Sequence, residues 1–129
     1  MSVDERLSPN TWGRKFRCAF RGLKRGFRGE SSFFAHLFAT AAVATAAAAL
    51  GADRTEWCLL WLCVTLVLTA EMLNSSIERL ARAVDERFNP QLRDALDIAG
   101  GAVLTAALGA TVVGTIVLGR LILVTLGWA

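Results

Sequence analysis

Apolar and polar positions alternate along the chain in a helical rhythm and then merge into long apolar runs. Trp12, Phe16, Phe20, Leu23 and Phe27 recur at spacings of four, four, three and four, which puts them on one helical face. Arg14, Lys15, Arg17, Arg21, Lys24, Arg25 and Arg28 fill most of the remaining positions. A basic helix with an aromatic stripe, over about 11–29, is predicted to lie in a membrane interface with its rings at the acyl boundary. An apolar run follows over about 33–50, with His36 as its one titratable group. At 1.5 Å per residue it reaches about 27 Å, against a hydrocarbon thickness of about 30 Å. A short turn, Gly51 to Glu56, leads to a second run over about 57–78, uncharged until Glu71. A third covers about 98–119 and continues past Arg120 towards Trp128. The expected fold is an all-α membrane protein: one interfacial amphipathic helix and three transmembrane helices. Residues 1–10 read as a disordered lead-in, and 11–129 as a single integral-membrane domain.

Composition agrees with this pattern. The chain has 129 residues, 54% of them hydrophobic and 19% charged, and the charges are confined to a few zones. Eight of the fourteen Lys/Arg precede residue 33, and Arg79, Arg82, Arg87 and Arg93 lie between the second and third runs. The turn between the first two runs holds only Arg54. By the positive-inside rule the N-terminus and the 79–97 connection are cytoplasmic, and three spans put the C-terminus outside. The expected location is a bacterial inner membrane. No nucleic-acid-binding motif or zinc pattern appears, so lipid headgroups rather than nucleic acid are the expected partners of the basic end. Cys18, Cys58 and Cys63 form no disulfide framework or metal-binding spacing. Ala102, Ala106, Ala110 and Gly114 step by four along the third run, a small-residue ridge suited to close helix packing. Three short spans bury their polar groups poorly alone, and a homo-oligomer is expected.

The candidate chemistry sits at the end of the second run. Glu71, Asn74 and Glu78 are offset by three and seven residues, which places them within about 60° of one another on a helix. A carboxylate within a span costs about 2.5–3.5 kcal/mol on insertion scales, so Glu71 reads as functional. Glu30, just before the first run, and Asp97, just before the third, are expected at the same cytoplasmic edge. Carboxylates and an amide there could hold Mg²⁺, a drier carboxylate could take a proton from a lipid hydroxyl, and nearby arginines could balance phosphate charge. Neither a GxxxxGK[ST] loop nor a kinase Gly-rich loop is present. The residues alone leave two readings open: a metal-dependent site at the cytoplasmic face, or a proton-coupled transporter.

The stretch Phe16-Arg-Cys-Ala-Phe-Arg-Gly22, with Gly29-Glu30 and Phe33…His36-Leu37, resembles the opening of the prokaryotic diacylglycerol/undecaprenol kinases. Glu71-Met-Leu-Asn74-Ser-Ser-Ile-Glu78 is similar to their E-x-x-N-[ST]-[AS]-I-E signature, and Asp97-Ile-Ala-Gly-Gly-Ala-Val-Leu104 to the start of their third span. The resemblance implies an ATP- and Mg²⁺-dependent lipid kinase that phosphorylates diacylglycerol or undecaprenol and assembles as a homotrimer. It implies Glu71 as the catalytic base and Glu30 and Glu78 as metal-holding carboxylates. Asn74, Asp97, Glu30 and Glu78 become the nucleotide-side residues. The family's Lys before the Asp of the third block is Leu96 here, an acidic residue four positions after the metal-holding Glu is Arg82, and an Arg before the first span is Phe34. Leu96 removes a phosphate contact, for which Arg82, Arg87 and Arg93 are candidate replacements.

Overall fold

The computed structural model describes residues 12–26, 31–84, 87 and 89–128. The expected lead-in over 1–10 and the candidate ligand Glu30 lie outside these. The described residues form four α-helices and no strand: α1 (Trp12–Gly26), α2 (Ser31–Ala49), α3 (Arg54–Val84) and α4 (Pro90–Thr125). The chain divides into two compact units at residue 30, so α1 is taken by itself. It buries none of its residues, and its apolar face stands open: Trp12, Phe16 and Phe20 are all more than half exposed. Lys15 lies three residues after Trp12 and sets its ammonium 4.9 Å from the centre of the indole ring, a cation–π contact.

Helices α2, α3 and α4 pack together, α3 most closely with α4. Two of them, α3 and α4, are long and apolar enough to cross a membrane; the apolar run Phe33–Ala49 of α2 is shorter. Only 22% and 11% of the apolar stretches of α3 and α4 are buried. A core helix of a soluble domain would hide most of such a stretch, so these surfaces fit an apolar surrounding better than water.

A small core closes one end of the bundle. Ala47, Leu60, Val117 and Leu121 are buried there, flanked by Val43, Trp57, Val113 and Leu118. The sequence shapes this end locally. Gly51 takes φ +74°, which lets Ala52 N–H reach Ala47 O (2.9 Å) and Gly51 N–H reach Ala48 O (3.3 Å), a Schellman ending for α2. Gly127, at φ +73°, ends α4 in the same way, with Trp128 N–H on Leu123 O. Asp53 then caps α3: its Oδ1 accepts from Glu56 N–H while Glu56 Oε2 accepts from Asp53 N–H, both at 2.8 Å. Glu56 is buried, and its other oxygen takes 2.6 Å from Arg120 Nη1 on α4. Arg120 thus ties α4 to the start of α3. Replacing it by Ala leaves one oxygen of a buried carboxylate unmatched, at a cost of about 1–3 kcal/mol. A lowered thermal midpoint in detergent checks this; an unchanged one would mean that Asp53 satisfies Glu56 alone.

One expectation changes. Most of the 79–97 connection is helical, because α3 runs on to Val84 and α4 begins at Pro90. Asn89 is the N-cap, extended at φ −127°, ψ 114°, and its side chain accepts from Gln91 N–H and Leu92 N–H, while Pro90 needs no hydrogen-bond partner. Within a single chain the small-residue ridge is unevenly buried. Ala106 is buried, but Ala102 is exposed, and the buried positions of α4 are Ala99, Ala106, Val117 and Leu121. A strict step of four drifts about 40° per step on a 3.6-residue helix, so Ala102 and Gly114 cannot share one narrow face.

Candidate active site

The buried positions of α3 are Glu56, Leu60, Val67, Glu71, Ser75 and Ala81. Glu71 therefore takes a place in the packing stripe that Leu60 and Val67 hold further down. By helix rise it lies about 22 Å along α3 from Glu56, so two carboxylates are buried towards opposite ends of the apolar stretch. The Glu71 side chain is 7% exposed, and its Oε1 is 2.9 Å from His36 Nε2, near the start of α2. An ionised carboxylate has no proton to give, so with Glu71 ionised it is Nε2 that carries the hydrogen of this bond. One turn beyond Glu71, Ser75 is buried as well. No buried side-chain nitrogen or oxygen lacks a hydrogen-bond partner among the described residues.

Asn74 and Glu78 form a second pair on the same helix, with Asn74 Nδ2 donating to Glu78 Oε1 at 2.8 Å. The other oxygen of Glu78 is 3.8 Å from Arg82 Nη2, one turn on, and the Glu78 side chain is 36% exposed. Glu78 thus faces solvent between an amide and a guanidinium, while Glu71 faces protein. On α4, Asp97 is exposed, with Arg93 Nε at 4.0 Å from its Oδ2. Arg93 also lies 3.8 Å from Asp94, and Arg87 is exposed in the connection. Leu96, in place of the expected Lys, is half-buried beside Asp97.

Of the residues singled out from the sequence, the structure joins Asn74 to Glu78 and places Arg82 beside them. It sets Arg93 beside Asp97, and it gives Glu71 a partner outside the set. Among the described residues no three His, Cys, Asp or Glu side chains come together as a metal site would require. Glu30, the other expected metal ligand, is outside the described residues. The donor chemistry still fits Mg²⁺, which needs only one or two protein carboxylates and completes its shell with water and phosphate oxygens. Glu78 is half-exposed, and two of its lone-pair positions remain once Asn74 and Arg82 are served.

His36 is the residue whose role the sequence left open between a helix-end group and a site group. A usable signal was present. His36 is the one titratable group in the first apolar run, and Glu71 is the first charge in the second. Isolated polar groups within adjacent apolar helices are costly unless they meet. Ser75 was part of the motif without an assigned role.

The chain matches the sequence profile of prokaryotic diacylglycerol kinase over residues 17–118. It belongs to that family. It is 35% identical over 100 residues to a diacylglycerol kinase of Synechocystis, a match that covers 77% of this chain and 57% of the relative. It is 28% identical over 116 residues to an undecaprenol kinase of Bacillus subtilis, covering 90% of this chain and 94% of that protein. The matched region includes α2 and α3 whole, and most of α1 and α4. Glu71, Asn74, Glu78, Asp97 and His36 all fall within it.

Proposed function

We propose that this protein is an ATP- and Mg²⁺-dependent lipid kinase. It transfers the γ-phosphoryl group to a membrane alcohol, diacylglycerol or undecaprenol, at the cytoplasmic face of the bacterial inner membrane. Residues 11–129 form one integral-membrane kinase domain. Its α1 lies in the interface, α2 to α4 cross the bilayer, the N-terminus is cytoplasmic and the C-terminus outside, and three copies assemble as a homotrimer. Membership of a lipid kinase family supports the activity. The observation that carries the site assignment is the buried carboxylate of Glu71, one turn from the Asn74–Glu78 pair on a helix long enough to span.

In this reading Glu71 is the general base. The acceptor O–H bond breaks, its proton passes to the Glu71 carboxylate, and the alcohol oxygen forms a bond to the γ-phosphorus. The bond from that phosphorus to the β,γ-bridging oxygen breaks, and ADP leaves. A base inside apolar packing is kept from bulk water, which favours transfer to the lipid over transfer to water. Glu78, with Glu30, would hold Mg²⁺, which would offset the charge on the nucleotide phosphates. Asn74 orients Glu78 through the 2.8 Å bond, and Asp97 marks the nucleotide side. Arg82, 3.8 Å from Glu78, and Arg93, 4.0 Å from Asp97, are candidates to meet phosphate oxygens. Arg87 is the third candidate.

Incubating the purified protein with labelled ATP, Mg²⁺ and each lipid in turn tests the proposal. Label in phosphatidic acid or undecaprenyl phosphate is the expected result. No transfer to either lipid overturns it and favours a membrane protein of the kinase family with a structural role, or a proton-coupled transporter that a flux assay would reveal. Leu96 favours the weakened alternative, because an alkyl side chain stands where a phosphate-binding ammonium is expected. Leu96→Lys is expected to lower the KM for ATP by about tenfold, equivalent to about 1.4 kcal/mol. Arg93→Ala should weaken ATP use in the natural background and much less in the Leu96→Lys background, a coupling that a double-mutant cycle measures. Without such coupling Arg93 is not the substitute.

A further inference from the structure

The carboxylate assigned as base is held by a residue from another helix. His36 Nε2 lies 2.9 Å from Glu71 Oε1, joining the start of α2 to the later half of α3 across 35 residues of sequence. The two ends of this contact differ in access: the Glu71 side chain is 7% exposed and that of His36 is 27% exposed. A cavity of about 350 Å³ lies among α2, α3 and α4, with Val43, Leu60, Val67, Ala110 and Leu118 in its walls. His36 lines this cavity and Glu71 does not. The hydroxyls of Thr40, Thr111 and Thr115, also in the lining, are engaged with carbonyls one turn back on their own helices. His36 is therefore where the cavity meets the polar pair.

From this we infer that His36 is a positioning residue for Glu71, an inference that rests on the kinase reading above. Its Nε2–H holds Oε1 and fixes the plane of the carboxylate, so Oε2 is the oxygen that takes the proton of the acceptor hydroxyl. A glutamate has three side-chain torsions, and a second anchor from a neighbouring helix restricts them before the alcohol arrives. Asn74 is not that anchor here: the bond its amide makes is to Glu78. The anchor also gives a role to the one titratable group of α2. The imidazole and carboxylate satisfy each other where water is scarce.

Two measurements on the full chain test this. The first is kinetic and uses two variants. His36→Leu removes the donor and keeps the packing, and is expected to lower kcat on the order of 10²-fold with the KM for ATP little changed. His36→Gln retains an N–H donor without a titratable ring, and is expected to recover about tenfold of that loss. A merely structural role would move stability and leave kcat per folded protein alone. The second measurement is independent of activity. The chain has one histidine, so ¹⁵N-histidine labelling gives a single imidazole. Its hydrogen-bonded Nε2–H signal is expected to shift in Glu71→Gln, where the acceptor becomes neutral. An unmoved signal overturns the contact. A wild-type kcat in His36→Leu, or a His36→Gln no better than His36→Leu, overturns the role. If the unaltered protein transfers no phosphate, the kinase reading falls and takes the role with it, while the imidazole signal still reports whether the pair exists. Transfer by the unaltered protein with an indifferent His36→Leu overturns the positioning role alone.

Discussion

Glu71→Gln is expected to lower phosphoryl transfer by about 10²–10⁴-fold, the contribution of a well-placed general base. The substitution is close to isosteric and sits in the packing stripe of α3, so the helix should keep its contacts with α2 and α4. The amide oxygen can still accept from His36 Nε2. What the amide cannot do is take a proton from the acceptor alcohol at neutral pH. Removing a buried charge also lowers the cost of placing this segment among apolar side chains, so folding and insertion should not suffer. Labelled transfer by the purified variant, with helix content checked by circular dichroism, measures the effect. More Mg²⁺ or ATP should not restore the rate, because neither replaces a proton acceptor. Turnover equal to the unaltered protein would remove Glu71 from the role of base.

Much of this arrangement is legible in the sequence. The aromatic stripe of α1 follows from the spacing of Trp12, Phe16 and Phe20, and the long apolar helices α3 and α4 from the second and third apolar runs. The spacing puts Glu71, Asn74 and Glu78 on one helix face; the hydrogen bond from Asn74 to Glu78 is an addition of the structure. Other features depend on quantities that a hydropathy pattern does not carry. The ends of apolar runs mark where charge begins, not where helices stop. Caps decide that: Asn89-Pro90 starts α4 well before Ile98, and α3 continues through Arg79 and Arg82 to Val84. Facing residues on different helices depend on the register between them, so the sequence offered His36 and Glu71 as two separate oddities. The same holds for Glu56 and Arg120, 64 residues apart yet joined at 2.6 Å. The shared face of Glu71 and Glu78 was read correctly as an angle, but their surroundings differ. Neighbouring helices cover Glu71, and two turns later Glu78 is partly open.

That difference in exposure separates the second large effect from the first. Glu78→Gln is expected to raise the Mg²⁺ concentration for half-maximal activity by about 10–100-fold, the range typical of disturbed metal sites. The carboxylate spends one oxygen on Asn74 at 2.8 Å and holds the other 3.8 Å from Arg82, leaving lone pairs and solvent access for a cation. Gln keeps an oxygen for Asn74 but loses the negative charge, and a strongly hydrated Mg²⁺ binds a neutral amide poorly in place of a carboxylate. Arg82 then adds repulsion without the anion that balanced it. Excess Mg²⁺ should recover much of the rate, since the base is untouched. Glu71→Gln should show no such recovery, so Mg²⁺ titrations of the two variants assign the two carboxylates to different steps. Glu30→Gln should behave like Glu78→Gln if both hold one ion, and the double variant should then lose less than the two single effects combined. Unchanged titrations in both single variants would mean that the nucleotide brings its metal without help from these carboxylates.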